Sequence, residues 1–367
     1  MANHDIWDES SGVSKKIRMQ IDAFRKMGIS LDAPNLFSNT NIDKVIRRIP
    51  FAKSKFDKSV DELIDVSLDN YDFVYIRHPF FDFFFYKSIQ KISRQGLPII
   101  YEFPTFPYDR NGKGLKWNLT LIKDKLFRNK IYKFVDIGVD YSGYQEIFKI
   151  PCISISNGID PSYYTKRQKK ICNTKFVFLG VALLTYWNGY DRLIKSIKLY
   201  QKNYPQLKIE FHIAGDGDEL HNLMELTASL ELKDNVIFHG FVSNNELKKL
   251  YDICDVAVGT LSPSRKYKNH IMSTLKTKEY TAIGVPFIKG DKDQAFDNFN
   301  LDFVYNVPDN ESLIDIPSII NWYNELISNY GNDTLTDHIR TFGFEYLTWE
   351  KQLLPVIDYL RLKKKGS

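Results

Sequence analysis

The chain has 367 residues, 43% apolar and 26% charged, which suits two buried cores and excludes a disordered protein. Three cysteines, Cys152, Cys172 and Cys254, share no spacing motif, so no disulfide scaffold or cysteine-rich zinc site is expected, and a reducing cytosol fits. The net charge of +5 is mild, no apolar run approaches the roughly 20 residues of a membrane span, and the opening residues do not read as a secretory signal.

Residues 1–11 are polar and turn-like, and a first helix is expected at once, over Ser14–Met27. A doubly wound domain should open with a strand. Either the sheet begins differently or its first β-strand is missing, and the missing strand is the expectation. Short apolar runs then predict buried parallel strands at Asp72–Ile76, Pro98–Glu102, Val135–Val139 and Cys152–Ser156, with a helix over Lys116–Lys133. Asn157-Gly158, Pro161 and the basic run Lys166–Lys170 read as a linker over 157–172. The alternation then restarts. Strands are expected at Lys175–Leu179, Ile209–Ala214, Val236–Phe238, Asp255–Val258, Pro286–Ile288 and Phe303–Val307. Helices fall between them, at Tyr190–Lys202 and Asn244–Tyr251 among others. The organisation is α/β: an N-terminal Rossmann-like domain over 1–156, a second over 173–346, and a final helix over 347–367. Ligands of such sheets bind beyond the C-terminal strand ends, so two facing domains imply a cleft.

The most informative window is Ser273-Thr274-Leu275-Lys276-Thr277-Lys278-Glu279-Tyr280-Thr281-Ala282-Ile283-Gly284-Val285-Pro286-Phe287-Ile288. Ser or Thr caps a helix, Gly284 stops it, and Pro286 prevents its continuation before a strand. A helix N-terminus offers unpaired N–H groups and partial positive charge to a phosphate, and Lys276 in its first turn adds a full charge. Glu279, three residues on, lies on the same face and can accept hydrogen bonds from both hydroxyls of a ribose.

This window resembles the nucleotide-sugar site of family 4 glycosyltransferases, which have the two-domain GT-B fold; a subgroup reads S-x-L-K-x-x-E-Y-x-A-x-G-x-P-x-I. Ser11-Gly12-Val13-Ser14 resembles their first glycine loop, and Asn157-Gly158-Ile159-Asp160 their interdomain N-G-[VI]-D. Trp187–Ile194 is similar to capsular and exopolysaccharide members. Ala214–Gly217, His239-Gly240 and Leu250–Val256 follow in the family's order, and Trp349 opens a helix like the one that crosses back to the first domain. The resemblance implies donor binding by Gly12, Ser273, Thr274, Leu275, Lys276 and Glu279.

Three departures stand out. Only the second carboxylate of the family's E-x7-E signature is present, because Ile271 stands eight residues before Glu279. Leu183 and Asn188-Gly189 replace the usual arginine and Lys-Gly that clamp the diphosphate. The usual catalytic-loop histidine is replaced in Tyr101-Glu102-Phe103-Pro104-Thr105. Charge for the donor phosphates is therefore expected from Lys276 and Arg265. Glu102 and His78, each after a strand, are expected to meet the acceptor hydroxyl, Glu102 by orienting it or taking its proton. Asp216-x-Asp218 and Asp291-x-Asp293 read as acidic turns; no metal and no cofactor are expected beyond a nucleoside diphosphate sugar as donor substrate.

Between Lys113 and Lys133 the chain carries Lys113, Lys116, Lys123, Lys125, Arg128, Lys130 and Lys133, with Leu115, Leu119, Ile122 and Leu126 at helical spacing and Trp117 and Phe127 nearby. A second basic cluster comprises Lys44, Arg47, Arg48, Lys53 and Lys55. Such a helix either settles on an anionic membrane surface or turns its apolar stripe to a core. No recognition motif for nucleic acid accompanies the charge. The resemblance implies a retaining glycosyltransferase, cytoplasmic or peripheral on the inner face of the plasma membrane. It would move a sugar onto a lipid-linked glycan in bacterial surface polysaccharide assembly. A non-catalytic GT-B subunit that binds a partner or glycan, and a sugar-nucleotide epimerase, are the alternatives.

Overall fold

The computed structural model describes residues 5–8, 11–36, 46, 52–65, 68–77, 80–109, 112, 114–170, 172, 174–266 and 271–365. The chain divides into two units: Met1–Ile155 together with Gln352–Ser367, and Ser156–Lys351.

In the first unit, helices α1 (Gly12–Lys26) and α2 (Lys55–Asp65) precede the first described strand, β1 (Val74–Arg77). Then follow α3 (Phe83–Arg94), β2 (Ile99–Phe103), α4 (Leu115–Phe127), β3 (Ile137–Asp140), β4 (Glu146–Ile147) and β5 (Ile150–Ser154). The sheet order is β1-β2-β3-β5-β4, parallel except for the short β4–β5 pair. Strand β2 is buried along its whole length: four of its residues are apolar or aromatic, and the fifth, Glu102, is buried with them. The Ser11 hydroxyl caps α1 by accepting from the Ser14 N–H at 3.3 Å, and Asp82 caps α3 through the Phe85 N–H at 2.9 Å.

Among the described residues no strand precedes α1, and β1 pairs with β2 alone. A cavity of about 1050 Å³ runs along that edge, lined by Ile17, Ile21 and Phe24 of α1, by Val74 and Tyr75, and by Ile357. The helix expected over Lys116–Lys133 ends earlier, at Phe127, and a 3-10 turn continues over Arg128–Lys133.

The second unit runs β6 (Lys175–Val181), α5 (Tyr190–Asn203), β7 (Lys208–Ala214), α6 (Leu220–Ser229), β8 (Val236–Gly240), α7 (Asn244–Ile253) and β9 (Val256–Val258). It continues with α8 (Leu275–Ile283), β10 (Phe287–Lys289), α9 (Gln294–Asp297), β11 (Val304–Asn306), α10 (Ile316–Tyr330) and α11 (Asn332–Tyr346). Its sheet is parallel, in the order β11-β10-β9-β6-β7-β8. The strand order therefore reverses between β6 and β9, and the carboxyl ends of those strands form the switch point where doubly wound sheets bind ligands.

The segment read as a linker is instead packed into this second unit. Arg167 is 1% exposed and donates to the Cys254 carbonyl at 3.0 Å, while the Lys170 N–H donates to the Asp252 carbonyl at 2.7 Å. A buried guanidinium with a carbonyl partner holds the segment in place, so its basic residues do not all face water. The last helix, α12 (Trp349–Lys365), starts on a Trp349 ring buried against Gly158, and from Gln352 on it belongs to the first unit.

Candidate donor site

Helix α8 opens at Leu275 after Thr274 and closes at Gly284, whose φ of 91° needs a residue without Cβ strain. Tyr280, fully buried, anchors it to the switch point: its hydroxyl donates to the Val258 carbonyl at 3.1 Å and accepts from the Val181 N–H at 3.2 Å. The ends of β9 and β6 thus fix the helix's height over the sheet. Ser273 ties the helix start to the chain entering the unit. Its hydroxyl accepts from the Asn157 N–H at 2.6 Å and lies 2.6 Å from the Ser156 hydroxyl. Asn157 Nδ2 donates to the Ser273 carbonyl at 2.5 Å.

Lys276 stands in the first turn with its Nζ shielded from solvent and, among the described residues, without a hydrogen-bond partner. The Tyr190 ring lies 5.6 Å from the ammonium. Burial lowers the Lys276 pKa to about 8, against the pull of nearby Asp291. Helix N-termini attract anions, and this ammonium adds its charge at the start of α8, at the switch point. Glu279 is half-buried one turn on, and its Oε1 accepts from the Tyr164 hydroxyl at 2.8 Å. Thr274 accepts at its carbonyl from the Thr277 hydroxyl at 3.2 Å. Ser273, Thr274, Leu275, Lys276 and Glu279 are therefore one local constellation.

Other expected residues stand elsewhere. Arg265 is not free to meet donor phosphates. Its guanidinium grips Asp191 at 2.6 and 3.1 Å and Glu311 at 2.9 and 2.5 Å. Its Nη1 also donates to the Tyr186 carbonyl at 2.8 Å. Two carboxylates already satisfy that charge. Leu183, at one clamp position, is 71% exposed, and Asn188, at the other, caps a turn by accepting from the Thr185 N–H at 2.7 Å.

Glu102 is not poised to take a proton. Its carboxylate, fully buried in the first unit, is ion-paired with Arg77, accepts from the Tyr75 hydroxyl at 2.8 Å and from Gln20 Nε2 at 3.3 Å, and faces Lys16 Nζ at 3.5 Å. Burial alone would raise its pKa, but Arg77 and Lys16 outweigh burial and hold it at about 2. A carboxylate that weak as a base, ringed by donors, stabilises charge instead. Gly12 is the first residue of α1, and a side chain there would meet no atom of the described residues within 4 Å. His78 lies outside the described residues.

Some polar groups of this region escaped the sequence reading. Asp291-x-Asp293 read as a plain acidic turn, yet its carboxylates differ. Asp293 is buried and ion-paired with Lys278, whereas both oxygens of Asp291, 3% exposed, have no hydrogen-bond partner among the described residues. Asn157 Oδ1 is likewise buried and unpartnered. The D-x-D spacing was the available signal; only the packing separates the two acids. Among the described residues no group of three His, Cys, Asp or Glu side chains is arranged to hold a metal ion.

Residues 164–295 match the family model described as glycosyl transferases group 1. Over 116 residues the chain is 32% identical to an uncharacterised glycosyltransferase, MJ1607, of Methanocaldococcus jannaschii, a match covering 28% of this chain and 29% of that protein. It is 31% identical over 88 residues to mannosylfructose-phosphate synthase of Agrobacterium fabrum, covering 22% of this chain and 19% of that protein. The matches thus span less than a third of these curated relatives. Among solved structures it is similar to sucrose-phosphate synthase from Thermosynechococcus elongatus, with a TM-score of 0.64 at 14% identity over 100% of this chain and 98% of that one. It is also similar to Anabaena HepE in complex with UDP-glucose, with a TM-score of 0.55 at 14% identity over 95% and 90% of the two chains. By fold, then, the chain is a GT-B protein of two Rossmann-like α/β domains, and its second domain carries the match to group 1 glycosyl transferases.

Proposed function

We propose that the protein is a retaining glycosyltransferase of the family 4 type that moves a sugar from a nucleoside diphosphate donor to a glycan acceptor. The observation that carries this reading is the shielded Lys276 ammonium at the start of α8, without a hydrogen-bond partner among the described residues, with Glu279 one turn away. The group 1 match over residues 164–295 includes both side chains, and the HepE neighbour was solved with UDP-glucose, which supports a nucleoside diphosphate sugar as donor. Lys276 and the helix N-terminus hold the diphosphate, and Glu279 holds the ribose hydroxyls. In the transfer, the bond from the sugar's anomeric carbon to the phosphate oxygen breaks while the acceptor oxygen bonds to that carbon on the same face. The leaving phosphate takes the acceptor's proton, so no separate base is required, consistent with the sequestered Glu102. Lys276 stabilises the charge that grows on the phosphate.

The acceptor end of the proposal rests on α4. Trp117 Nε1 donates to the Asp109 carbonyl at 3.0 Å and Phe127 packs on Phe83 and Tyr86, so these aromatics face their own unit. The opposite face exposes Leu115 (75%), Leu119, Ile122 and Leu126 (54%), with Lys125, Lys130 and Lys133 exposed on or beyond it. The side chain of Lys116, all of Lys113, and Lys44, Arg47 and Arg48 of the second basic cluster lie outside the described residues. An apolar stripe turned outward beside basic residues suits an anionic membrane surface, and hence a lipid-linked acceptor in surface polysaccharide assembly. No helix among the described residues is long and apolar enough to cross a membrane.

The test is nucleotide release from a panel of UDP-, GDP- and ADP-sugars with a glycolipid acceptor in anionic vesicles. Transfer that retains anomeric configuration and falls at least tenfold in Lys276→Ala is expected. Donor binding without transfer to any acceptor would point to a non-catalytic subunit, and conversion of the donor with no acceptor present to an epimerase.

A further inference from the structure

Asp291 follows β10, at the carboxyl edge of the second sheet, where Gly290 N–H donates to the Thr260 carbonyl at 2.7 Å. Lys289, Asp293, Lys278 and Lys276 are close enough to act on its charge. Asp293 and Lys278 pair with each other. Lys289 Nζ is taken by Asp297 at 2.6 Å and by the Asp291 backbone carbonyl at 2.7 Å. That leaves the Asp291 carboxylate and the Lys276 ammonium, both shielded from water and neither hydrogen-bonded among the described residues. A buried acceptor pair and a buried donor left unmade are each costly in the ligand-free protein. Together they describe a ligand with an anionic part and, next to it, hydroxyl donors.

A backbone bridge adds position. Ile271 pairs with Lys292, and the Met272 N–H donates to the Lys292 carbonyl at 2.8 Å. Asp291 is therefore the neighbour of the residue that faces Ile271, the position at which the E-x7-E signature would place its first carboxylate. A cation is a poor candidate for this acid, because the Lys276 ammonium shares its surroundings and would repel one.

We propose that Asp291 accepts hydrogen bonds from hydroxyls of the donor's transferred sugar, so that the carboxylate missing at Ile271 is supplied from the facing strand end. The proposal rests on the reading of α8 as the donor site. Lys276 takes the phosphates, Glu279 the ribose, and Asp291 the sugar, which makes Asp291 a residue that selects the sugar by its hydroxyl pattern.

Calorimetric titration of UDP, GDP and ADP and of their hexose conjugates separates the possibilities. Wild type is expected to bind one conjugate, and Asp291→Asn to weaken it by roughly ten- to a hundredfold while leaving the bare diphosphate within about twofold. Deoxy analogues of that hexose titrated against wild type give the same answer without a variant: one analogue loses a comparable factor, and Asp291→Asn adds nothing further to it. If conjugate and diphosphate weaken equally, or neither changes, or every deoxy analogue binds like the parent, Asp291 does not read the sugar although the donor site stands. Tightening by magnesium that is lost in Asp291→Asn would assign the acid to a metal instead and overturn the proposal. If wild type binds no nucleotide of the panel, the donor-site reading falls and the proposal with it.

Discussion

Lys16 on α1 and Glu102 at the end of β2 face each other across 3.5 Å, 6% and 0% exposed, with Arg77 on the same carboxylate. This places an ion cluster inside the first unit. Removing one partner of a buried cluster leaves the others uncompensated and costs about 3–5 kcal/mol. Glu102→Ala should therefore unfold at markedly lower urea concentration than wild type. The folded pKa of Glu102, about 2, lies below its ordinary 4.5. Its contribution to stability is thus complete above about pH 4.5 and lost as pH falls from there toward 2. A Glu102→Gln variant with wild-type stability but collapsed turnover would instead restore the catalytic role.

Lys276 and Asp291 should make the ligand-free second unit less stable than it need be. Burial lowers Lys276 to about 8 and raises Asp291 to about 6, so both are charged between those values. The lysine's destabilisation is full below pH 8 and is relieved as pH rises toward 10.5. The aspartate's is absent near pH 3.8 and grows as pH rises to 6. Replacing both, Lys276→Met with Asp291→Asn, should stabilise by about 1–4 kcal/mol. That is several degrees in Tm for a domain of about 200 residues. The gain should be largest between pH 6 and 8, and donor binding should vanish. A melting scan across pH reads it; a double variant less stable than wild type at pH 7 would refute the account.

Glu279→Ala should weaken binding of the nucleoside diphosphate by roughly ten- to a hundredfold, the range of a charged hydrogen bond lost in a shielded site. Tyr164→Phe, which removes the 2.8 Å bond that orients Glu279, should cost less than fivefold. Lys276→Ala should lower turnover more than affinity, and in wild type donor affinity should decline as pH rises through 8. Equal nucleotide affinity in Glu279→Ala and wild type would move the ribose site elsewhere.

Arg265→Ala should leave nucleotide affinity within about twofold. Its side chain is 17% exposed between Asp191 and Glu311, so its loss should lower the second unit's Tm. A tenfold loss of donor affinity at unchanged Tm would return Arg265 to the phosphates.

How much was legible in the sequence depends on how local each signal was. Helix α8 and its strand could be placed because Thr274 at the N-cap position, a stop at Gly284 and Pro286 lie within one window, although the Thr274 side chain makes no capping bond. Arg265's fate could not, because Asp191 and Glu311 lie 74 and 46 residues away. Glu102 followed a strand as expected, but Arg77, 25 residues back, closes over it. The stripe Leu115, Leu119, Ile122 and Leu126 was visible as one face of a helix. Periodicity says that those residues share a face; which way the face turns is decided by Trp117 and Phe127 finding partners in their own unit. Asp291 and Asp293 are interchangeable on paper; what distinguishes them is that Asp293 finds Lys278, the Ser156 hydroxyl and the Ala295 N–H.

The open flank of β1 bears on how the protein behaves when concentrated. Among the described residues Val74–Arg77 bonds to β2 on one side only, and apolar side chains line the space along the other. Such a flank is a template for any extended backbone that reaches it, a second copy of the chain included. Self-association by that route is driven by main-chain hydrogen bonds and apolar contact, so raising salt will not suppress it as it would a charge-driven contact.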